Sequence, residues 1–533
     1  MKLEGWQKEK VLPPIRISEQ HMKLISTILI LTAAIPALAQ EKSTKRGIGW
    51  DEKTQPITNA PVEKMLPGVT WMYNWGPAPK GNASSVGTAD GMDFAPMCWN
   101  GNFEENTVRT YLQNHNNTKY LLGFNEPNFS AQSNMTPADA AAQWPKVEKI
   151  AEDFGLKLVA PALNFTGEQV GGRTWNPYEW LDEFIKQYKA KFGKLPKMDC
   201  LALHCYMNWY GSSTWFTTEY FYKDLYEVNK DNNVVGKYPN IVEQLDAYKA
   251  ANGHFPRMML TEFCSWEGDK DGFVTTKESQ IDQMTQKIQK MELSDVVEGY
   301  AWFMGNAGGG YNEKPYMSVF QTNSAGSDLS DLGKVYVYMS SFDTSKYYAP
   351  GEQIQAKDYI DASTDNQQAK VRPNTESGSS LPLQMEMVRG AWTKYQVNVP
   401  ADGDYKFTIH MKSTSDAPAW IYLDGKAISK TSVATTAGAW ADRDITVALK
   451  SGNHDIMLYN AGNDPFSVNA ISFTAETSGI AATAANVNEG DIEVLDLKGM
   501  MVGKGKSLHE MNLDKGIYIL VQPTGENKKI LIK

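Results

Sequence analysis

The segment YLLGFNEPN at residues 120–128 gives the clearest indication of how this chain folds. Its apolar run predicts a buried strand, which ends where Pro127 removes a backbone hydrogen-bond donor. Burying an unpaired carboxylate is costly, so Glu126 at the tip of such a strand requires a functional explanation. We interpret Glu126 as a catalytic acid, although an isolated Glu-Pro pair would favour a helix cap or a surface carboxylate.

A second segment has the same design. Residues 257–263 read RMMLTEF, again an apolar run that ends in a glutamate, Glu262, with an aromatic residue after it. Retaining hydrolysis of a glycoside needs two carboxylates, because one protonates the leaving oxygen and the other attacks the anomeric carbon. We predict that Glu126 is the acid and Glu262 the nucleophile.

Both segments belong to a longer alternation of strands and helices. Between residues 45 and 340, short apolar segments are separated by longer ones with apolar positions three to four residues apart, which indicates βα units around a parallel sheet. Eight such strands match a (β/α)₈ barrel, where catalytic groups lie at the carboxyl ends of the strands. The predicted strands are residues 47–50, 69–75, 93–99, 120–125, 157–163, 198–206, 257–263 and 299–304.

The predicted strand ends carry more aromatic and polar side chains than a structural barrel would need. Asn125 could hydrogen-bond a sugar 2-hydroxyl, and aromatic rings can stack on the apolar faces of sugars. A single buried histidine is more often structural, but His204 stands beside a tyrosine at a strand end, which favours a functional role. The predicted substrate-binding residues are Asn125, Tyr73, Trp75, Trp99, His204, Tyr206 and Trp302.

Charge and motifs narrow the class of ligand. The chain of 533 residues has a formal net charge of -10, whereas nucleic acids and anionic membranes bind basic surfaces. Fifteen Trp and 25 Tyr favour a neutral sugar instead. The sequence contains no HExxH, EF-hand or P-loop motif, so we predict no metal and no cofactor. We expect a monomer.

The four cysteines predict buried free thiols. They lack the spacing of a metal site, and they are too few for a disulfide framework. A disulfide between Cys205 and Cys264 on neighbouring strands is the alternative. The cysteines are Cys98, Cys200, Cys205 and Cys264, all in or directly after predicted strands.

The amino terminus has the pattern of a signal peptide. An apolar run at residues 24–35 precedes Ala37-Leu38-Ala39, a cleavage site of the A-x-A type. The run is shorter than the roughly 20 residues that span a bilayer. We predict an over-extended start at residues 1–21, a signal peptide at residues 22–39, and an exported protein that does not insert into a membrane.

Further domains follow the predicted barrel at residues 45–340. Residues 345–475 contain short alternating segments separated by turn signals, which is typical of an all-β sandwich. Residues 476–490 are rich in Ala and Thr and predict a linker. Residues 491–533 predict a small C-terminal β domain.

Several segments together resemble glycoside hydrolase family 128. They are LGFNEPN at residues 122–128, FAPMCW at 94–99, ALHCY at 202–206, LTEF at 260–263 and YAWF at 300–303. The resemblance covers residues 45–340. It implies a (β/α)₈ endo-β-1,3-glucanase that uses Glu126 as acid/base and Glu262 as nucleophile, with a β-glucan polysaccharide or oligosaccharide as its partner.

The remaining domains carry resemblances of their own. The segment GAWTKYQVNVP at residues 390–400 is similar to carbohydrate-binding sandwiches of family 6 or 35, although Lys357 stands where their usual glutamate would be. Residues 491–533 resemble the C-terminal sorting domain of the type IX secretion pathway, which implies a secreted or cell-surface protein.

The expected function is a retaining endo-β-1,3-glucanase that acts on laminarin-like or curdlan-like glucans. Two alternatives are a retaining hydrolase of another β-glycan and a non-catalytic surface glycan-binding protein. The pair of carboxylates argues against a binding protein, which does not need it.

Overall fold

The computed structural model describes residues 40–164, 168–206, 237–266, 274–307 and 316–476, and near the C-terminus residues 492–497, 499–505, 511, 513–521 and 527–532. The predicted start at residues 1–21, the predicted signal peptide and almost all of the predicted linker lie outside these residues.

Eight parallel strands form the first domain. They are β1 (Arg46–Gly49), β2 (Trp71–Tyr73), β3 (Asp93–Phe94), β4 (Tyr120–Leu122), β5 (Lys157–Val159), β6 (Cys200–Cys205), β7 (Arg257–Phe263) and β8 (Val297–Trp302). Neighbours pair in the order β3-β2-β1-β8-β7-β6-β5-β4. The ring closes just beyond β3, where the Cys98 amide donates to the Leu122 carbonyl oxygen over 2.9 Å. This closure confirms the predicted (β/α)₈ barrel.

Helices connect most of the strands. Thr136 caps α3 by accepting a hydrogen bond from the Asp139 amide, and Gly155 ends that helix in a left-handed conformation with φ 65°. Residues 76–92, between β2 and β3, form turns instead of a helix. The helices are α1 (Asn59–Met65), α2 (Glu105–Asn114), α3 (Pro137–Phe154), α4 (Pro177–Phe192), α5 (Pro239–Asn252), α6 (Lys277–Leu293) and α7 (Asp331–Tyr338).

A separate apolar cluster fills the inside of the barrel. It combines large rings on β2 with small side chains on the facing strands, such as Ala202 and Ala301. Gly47 is part of this fit, because a Cβ atom there would come within 2.2 Å of the Trp71 ring. The second, larger cluster packs the outside of the strands against the helices.

The observed strands are shorter than the predicted ones at their carboxyl ends. For example, β4 ends at Leu122 rather than at residue 125. Beyond it, an isolated bridge joins Asn125 to Ala162. The polar residues at the strand ends therefore stand on irregular backbone above the barrel.

Residues 353–475 form two antiparallel sheets whose apolar faces share one cluster with the outside of the barrel. One sheet has the order β11-β12-β19-β14-β17, with β9 also paired to β19, and the other has the order β10-β13-β18-β15-β16. The strands are β9 (Gln353–Gln355), β10 (Asp361–Ala362), β11 (Ala369–Pro373), β12 (Leu383–Met387), β13 (Trp392–Val399), β14 (Gly403–Ser413), β15 (Ala419–Leu423), β16 (Lys426–Ser429), β17 (Trp440–Leu449), β18 (Gly452–Asn460) and β19 (Phe466–Ala475).

A four-stranded sheet follows at the C-terminus, with the strands β20 (Ile492–Leu495), β21 (Met501–Gly505), β22 (Gly516–Val521) and β23 (Asn527–Ile532). It has the order β21-β20-β22-β23. Among the described residues, no helix combines the length and apolarity needed to cross a membrane.

Helix α6 lies between the barrel and the sandwich. Its polar side chains reach the sandwich: Gln289 donates to the Ala362 carbonyl oxygen over 2.7 Å, and Arg372 donates to Asp282 over 2.6 Å. The Phe342 and Tyr359 rings meet edge to face nearby, with centroids 5.4 Å apart. The two domains therefore share both a polar contact and an apolar core.

All four cysteines are buried free thiols, as expected. Cys205 ends β6 and Cys264 directly follows the neighbouring β7, but no disulfide joins them. Burial raises the pKa of Cys264 well above its ordinary value, which keeps this thiol protonated and unreactive at neutral pH.

Candidate active site

A cleft of about 1000 Å³ opens at the carboxyl ends of the barrel strands. Aromatic side chains from several loops form much of its wall, while both predicted catalytic carboxylates lie at its base. Six of the nine predicted site residues line it: Trp75, Trp99, Asn125, Glu126, Tyr206 and Glu262. Among the described residues, four further aromatic side chains line the cleft that were not predicted from the sequence: Phe103, Phe129, Trp266 and Phe303.

Glu126 is held in an unusual backbone conformation. Its φ is 44°, in the left-handed region that residues other than glycine seldom adopt, and its amide donates to the Ala162 carbonyl oxygen over 2.8 Å. Glu126 as a whole is 4% exposed. Oε1 of Glu126 accepts a hydrogen bond from the Asn164 amide group over 2.7 Å and lies 2.7 Å from Nδ1 of His204.

Asn164 is a site residue that was not predicted from the sequence. This residue directly follows the predicted fifth strand, so a polar side chain at a strand end was the available signal. Asn128 holds the backbone of Asn164 in place. The Asn128 side chain donates to the backbone carbonyl oxygen of Asn164 over 2.7 Å and accepts from the backbone N–H of Asn164 over 3.1 Å. The segment after Glu126 therefore anchors the residue that orients Glu126.

Three aromatic residues surround the Glu262 carboxylate. Its Oε1 accepts a hydrogen bond from Nε1 of Trp75 over 2.6 Å. The Tyr73 hydroxyl lies 3.3 Å from the same oxygen, but it is closer to the Thr261 carbonyl oxygen, at 2.9 Å. The Tyr206 hydroxyl donates to Oε2. Glu262 is 4% exposed, so these donors replace most of the water that would otherwise solvate its carboxylate.

A β-bulge in β7 turns Glu262 towards the cleft. The pairing between β6 and β7 shifts by one residue, so that Leu203 pairs with Leu260 but His204 pairs with Glu262. Met259 faces the inside of the barrel, and strict alternation would then turn Glu262 outwards. The extra residue at Thr261 reverses that alternation.

His204 lies between the two carboxylates and is fully buried. Its Nδ1 is 2.7 Å from Glu126 and 3.3 Å from Glu262, and its Nε2 is 3.0 Å from the Thr261 hydroxyl. Burial by itself lowers the pKa of His204, but the charge of Glu262 and the hydrogen bond with Glu126 raise it above the ordinary value. A protonated His204 would neutralise part of the paired negative charge.

Opposing influences act on the nucleophile candidate. Burial and the charge of Glu126 raise the pKa of Glu262, while His204, Tyr206 and Trp75 act to lower it. The pKa of Glu262 stays above its ordinary value. Every donor to this carboxylate therefore helps to keep it ionised.

One oxygen of each carboxylate and a ring nitrogen of His204 lie within 4.8 Å of one another. Such a group could in principle hold a metal ion. However, Nδ1 of His204 already shares a proton with Glu126, and metal binding would have to displace that proton. The arrangement fits acid–base chemistry between two carboxylates at least as directly.

Asn125 has a free acceptor in the cleft. Its side-chain amide donates to Gln132 over 3.2 Å, while Oδ1 is buried without a hydrogen-bond partner among the described residues. A buried polar atom without a partner is costly in a folded protein. A substrate hydroxyl in the cleft could satisfy it.

Three predicted substrate-binding residues do not line the cleft. Tyr73 and His204 are fully buried beneath it and contact the carboxylates. The prediction is wrong for Trp302: its indole donates to the Met317 carbonyl oxygen in the layer between strands and helices. The reason is alternation along β8, where Ala301 points into the barrel and Trp302 therefore points out.

Two protein families match this chain, one over the barrel and one over the sandwich. Residues 47–336 match the family described as the glycosyl hydrolase catalytic core, and residues 347–475 match carbohydrate binding module family 6. Alkali-sensitive linkage protein 1 of Schizosaccharomyces pombe is 25% identical over 306 residues, which are 55% of this chain and 44% of that protein. The chain thus spans less than half the length of this curated relative.

The solved structures to which this chain is similar include two enzymes of family 128, subgroup II. The endo-β-1,3-glucanase of family 128, subgroup II, from Pseudomonas viridiflava is 30% identical, with a TM-score of 0.43, over 56% of this chain and 98% of that one. The subgroup II enzyme from Sorangium cellulosum is 25% identical, with a TM-score of 0.39, over 55% and 98%. Because the family match at residues 47–336 spans more than half of the sequence, this chain belongs to the glycosyl hydrolase catalytic core family.

Proposed function

We propose that this glycoside hydrolase cleaves β-1,3-glucan with retention of configuration at the anomeric carbon. The observation that carries the mechanism is the separation of the carboxylates: one oxygen of Glu126 and one of Glu262 lie within 4.8 Å. Retaining enzymes keep their carboxyl groups about 5–5.5 Å apart, whereas inverting enzymes leave roughly 6.5–9.5 Å for a water molecule.

The hydrogen bonds divide the two roles. Trp75 and Tyr206 donate to Glu262, which favours the ionised form that attacks the anomeric carbon. Glu126 then protonates the leaving oxygen, and in the second step it takes a proton from the water that releases the sugar from Glu262. His204 contacts both carboxylates and can balance the charge as the proton leaves and returns.

The linkage is proposed from sequence. The motifs around Glu126 and Glu262 resemble those of family 128, and the similar Pseudomonas viridiflava protein is described as an endo-β-1,3-glucanase. A neutral glucan suits a cleft walled by aromatic rings in a chain of net charge -10. By the same reasoning, the sandwich at residues 347–475 would hold the enzyme on insoluble glucan.

The first test is release of reducing sugar from laminarin, with barley mixed-linkage glucan and cellulose alongside. We expect wild type to cleave laminarin, and Glu126→Gln and Glu262→Gln to lose activity by several orders of magnitude. Glu104→Gln is the matched control, because Glu104 is an exposed carboxylate that lines the same cleft. Proton NMR of the first product gives the anomeric configuration, and product lengths separate endo from exo cleavage.

Two outcomes would favour the alternatives. Cleavage of only the mixed-linkage glucan or cellulose would keep the mechanism and change the linkage. Binding of laminarin without cleavage of any of the three glycans would favour a glycan-binding protein, and a Glu126→Gln variant would then bind laminarin as wild type does.

We also propose that the protein is exported. The signal-peptide pattern at residues 22–39 and the resemblance of residues 491–533 to a type IX sorting domain support this. Amino-terminal sequencing of protein recovered from the culture medium is expected to begin near Gln40. Retention of the full chain inside the cell would contradict export.

A further inference from the structure

Trp75 reaches the nucleophile candidate from a backbone position that must be held in place. Its φ is 59°, a left-handed conformation that is unfavourable for a bulky residue. The indole ring packs on Gly49, where a Cβ atom would come within 2.9 Å of it, and lies 4.9 Å from the Tyr73 ring. Only in this position does Nε1 donate to Oε1 of Glu262 over 2.6 Å.

Asn74 fixes the turn at Trp75. Its side-chain NH₂ group donates to the Ala78 carbonyl oxygen over 2.9 Å and to Oε2 of Glu52. Both partners can only accept, so the orientation of the amide is determined. Its oxygen then faces the Gly76 amide, which donates to it over 2.9 Å. The residues on both sides of Trp75 are thereby tied together.

Glu52 is the centre of this network. Its Oε1 accepts from the amides of Ile57 over 2.9 Å and Gly81 over 2.8 Å, and its Oε2 accepts from the Lys80 amide over 2.7 Å and from Asn74. Glu52 is 5% exposed, and within the described part of the chain it forms no ion pair. Only a carboxylate offers two oxygens that can each accept two such donors.

We propose that Glu52 is a positioning residue for the nucleophile: through Asn74 it holds the Trp75 turn and thereby places the indole N–H on Glu262. This inference rests on the proposed role of Glu262. Glu52 and Asn74 line the cleft, but the Glu52 carboxylate accepts four hydrogen bonds from the protein itself, so we expect its effect on the reaction to pass through Trp75.

The hydrogen bond from Trp75 to Glu262 should affect how kcat/KM depends on pH. Loss of the Trp75 hydrogen bond raises the pKa of Glu262, because that bond favours the ionised carboxylate. The acid limb of kcat/KM then moves to higher pH. The other titratable groups that face Glu262 stay in place in the variants below: Glu126, His204, Tyr73, Tyr206 and Cys264.

The experiment compares Glu52→Gln, Trp75→Phe and the double variant on the β-glycan that wild type cleaves best. We expect Glu52→Gln and Trp75→Phe each to lower kcat between about tenfold and a hundredfold, with a smaller effect on KM, and to move the acid limb to higher pH. In the double variant, Glu52→Gln should add little to Trp75→Phe, because both act on one hydrogen bond.

Glu148→Gln is the control for stability alone. Glu148 is also buried and accepts hydrogen bonds from the Tyr188 hydroxyl and the Lys197 amide, but it lies on α3, away from the cleft. We expect this variant to lower the unfolding temperature and to leave the pH profile unchanged.

If Glu52→Gln does not fold, Asn74→Ala tests the proposal in its place. This variant removes the hydrogen bond between Asn74 and Glu52 and leaves the other three donors to Glu52 unchanged. An unchanged acid limb in a folded Glu52→Gln or Asn74→Ala variant would overturn the proposal. Independent, multiplying losses in the double variant would also overturn it. Activity retained by Glu262→Gln would instead overturn the nucleophile role, and this inference with it.

Discussion

At the scale of single residues, the site depends on how a buried carboxylate is kept ionised. Glu262 is nearly inaccessible to water, and burial raises its pKa, as does any negative charge on the neighbouring Glu126. Both conditions favour the protonated form, which cannot attack the anomeric carbon. The hydrogen bonds from Tyr206 and Trp75 and the charge of His204 act in the opposite direction.

Tyr206→Phe removes one of these donors while keeping the ring. We expect the pKa of Glu262 to rise, so that the ionised fraction, and with it kcat/KM, begins to fall at a higher pH than in wild type. The loss should be larger at pH 5 than at pH 7. Tyr188→Phe is the control, because its hydroxyl donates to Glu148 outside the cleft. A Tyr206→Phe profile parallel to that of wild type would contradict the expectation.

Asn164→Ala tests the acid side of the site. Asn164 donates to Oε1 of Glu126, so its loss should leave the proton donor poorly oriented. An aryl leaving group needs little protonation, whereas a sugar leaving group needs it fully. We therefore expect kcat on laminarin to fall more than kcat on an aryl β-glucoside oligomer. Equal losses on both substrates would argue that Asn164 acts on binding.

At the scale of secondary-structure elements, the sequence predicted which segments are strands better than where their side chains point. All eight predicted barrel strands are present, because each apolar run is buried on both faces in a parallel barrel. Continuous apolar runs carry no alternation, so they do not reveal orientation. Trp302 is an example: it was predicted to face the cleft, but its side chain points away from it.

The two glutamates were found from sequence for a reason that does not depend on their exact backbone. A carboxylate directly after an apolar run can be recognised in the sequence whichever face of the strand its side chain lies on. The left-handed conformation of Glu126 and the bulge at Thr261 leave no mark in the composition, because both arise from tertiary hydrogen bonds. Asn164, Asn128 and Glu52 were missed because polar residues in loops usually have no special role.

The pairing that closes the barrel between β3 and β4 is short. β3 has two residues, and one bridge between Met97 and Leu122 joins the segment after it to β4, whereas β6 and β7 pair along most of their length. We expect amides of residues 93–98 to exchange with deuterium faster than those of β6. Peptide-level hydrogen exchange measures this, and equal protection of both segments would contradict it.

At the scale of the whole molecule, the barrel and the sandwich form one packed unit. The larger apolar cluster runs without a break from the barrel helices through Phe342 and Tyr359 into the sandwich. Separate domains usually meet through smaller and more polar surfaces. Here the end of the barrel and the start of the sandwich share a core.

This arrangement predicts cooperative unfolding. In scanning calorimetry of a chain that ends at residue 476, we expect one transition for barrel and sandwich, with equal calorimetric and van't Hoff enthalpies. Ending the chain at residue 340 should lower the unfolding temperature of the barrel, because it uncovers α6 and α7. Two resolved transitions in the longer chain would show that the domains unfold independently.

The contact of α6 with the sandwich also limits which substitutions this part of the sequence can accept during evolution. Asp282 accepts a hydrogen bond from Arg372 and lies 3.4 Å from Lys370. An apolar surface tolerates one-sided substitutions, but the loss of one member of a largely buried charge pair leaves the other uncompensated. A substitution of Asp282 would therefore require a compensating substitution of its basic partners, Arg372 and Lys370. A sandwich without basic residues at positions 370 and 372 would therefore leave Asp282 of this helix without its charge partners.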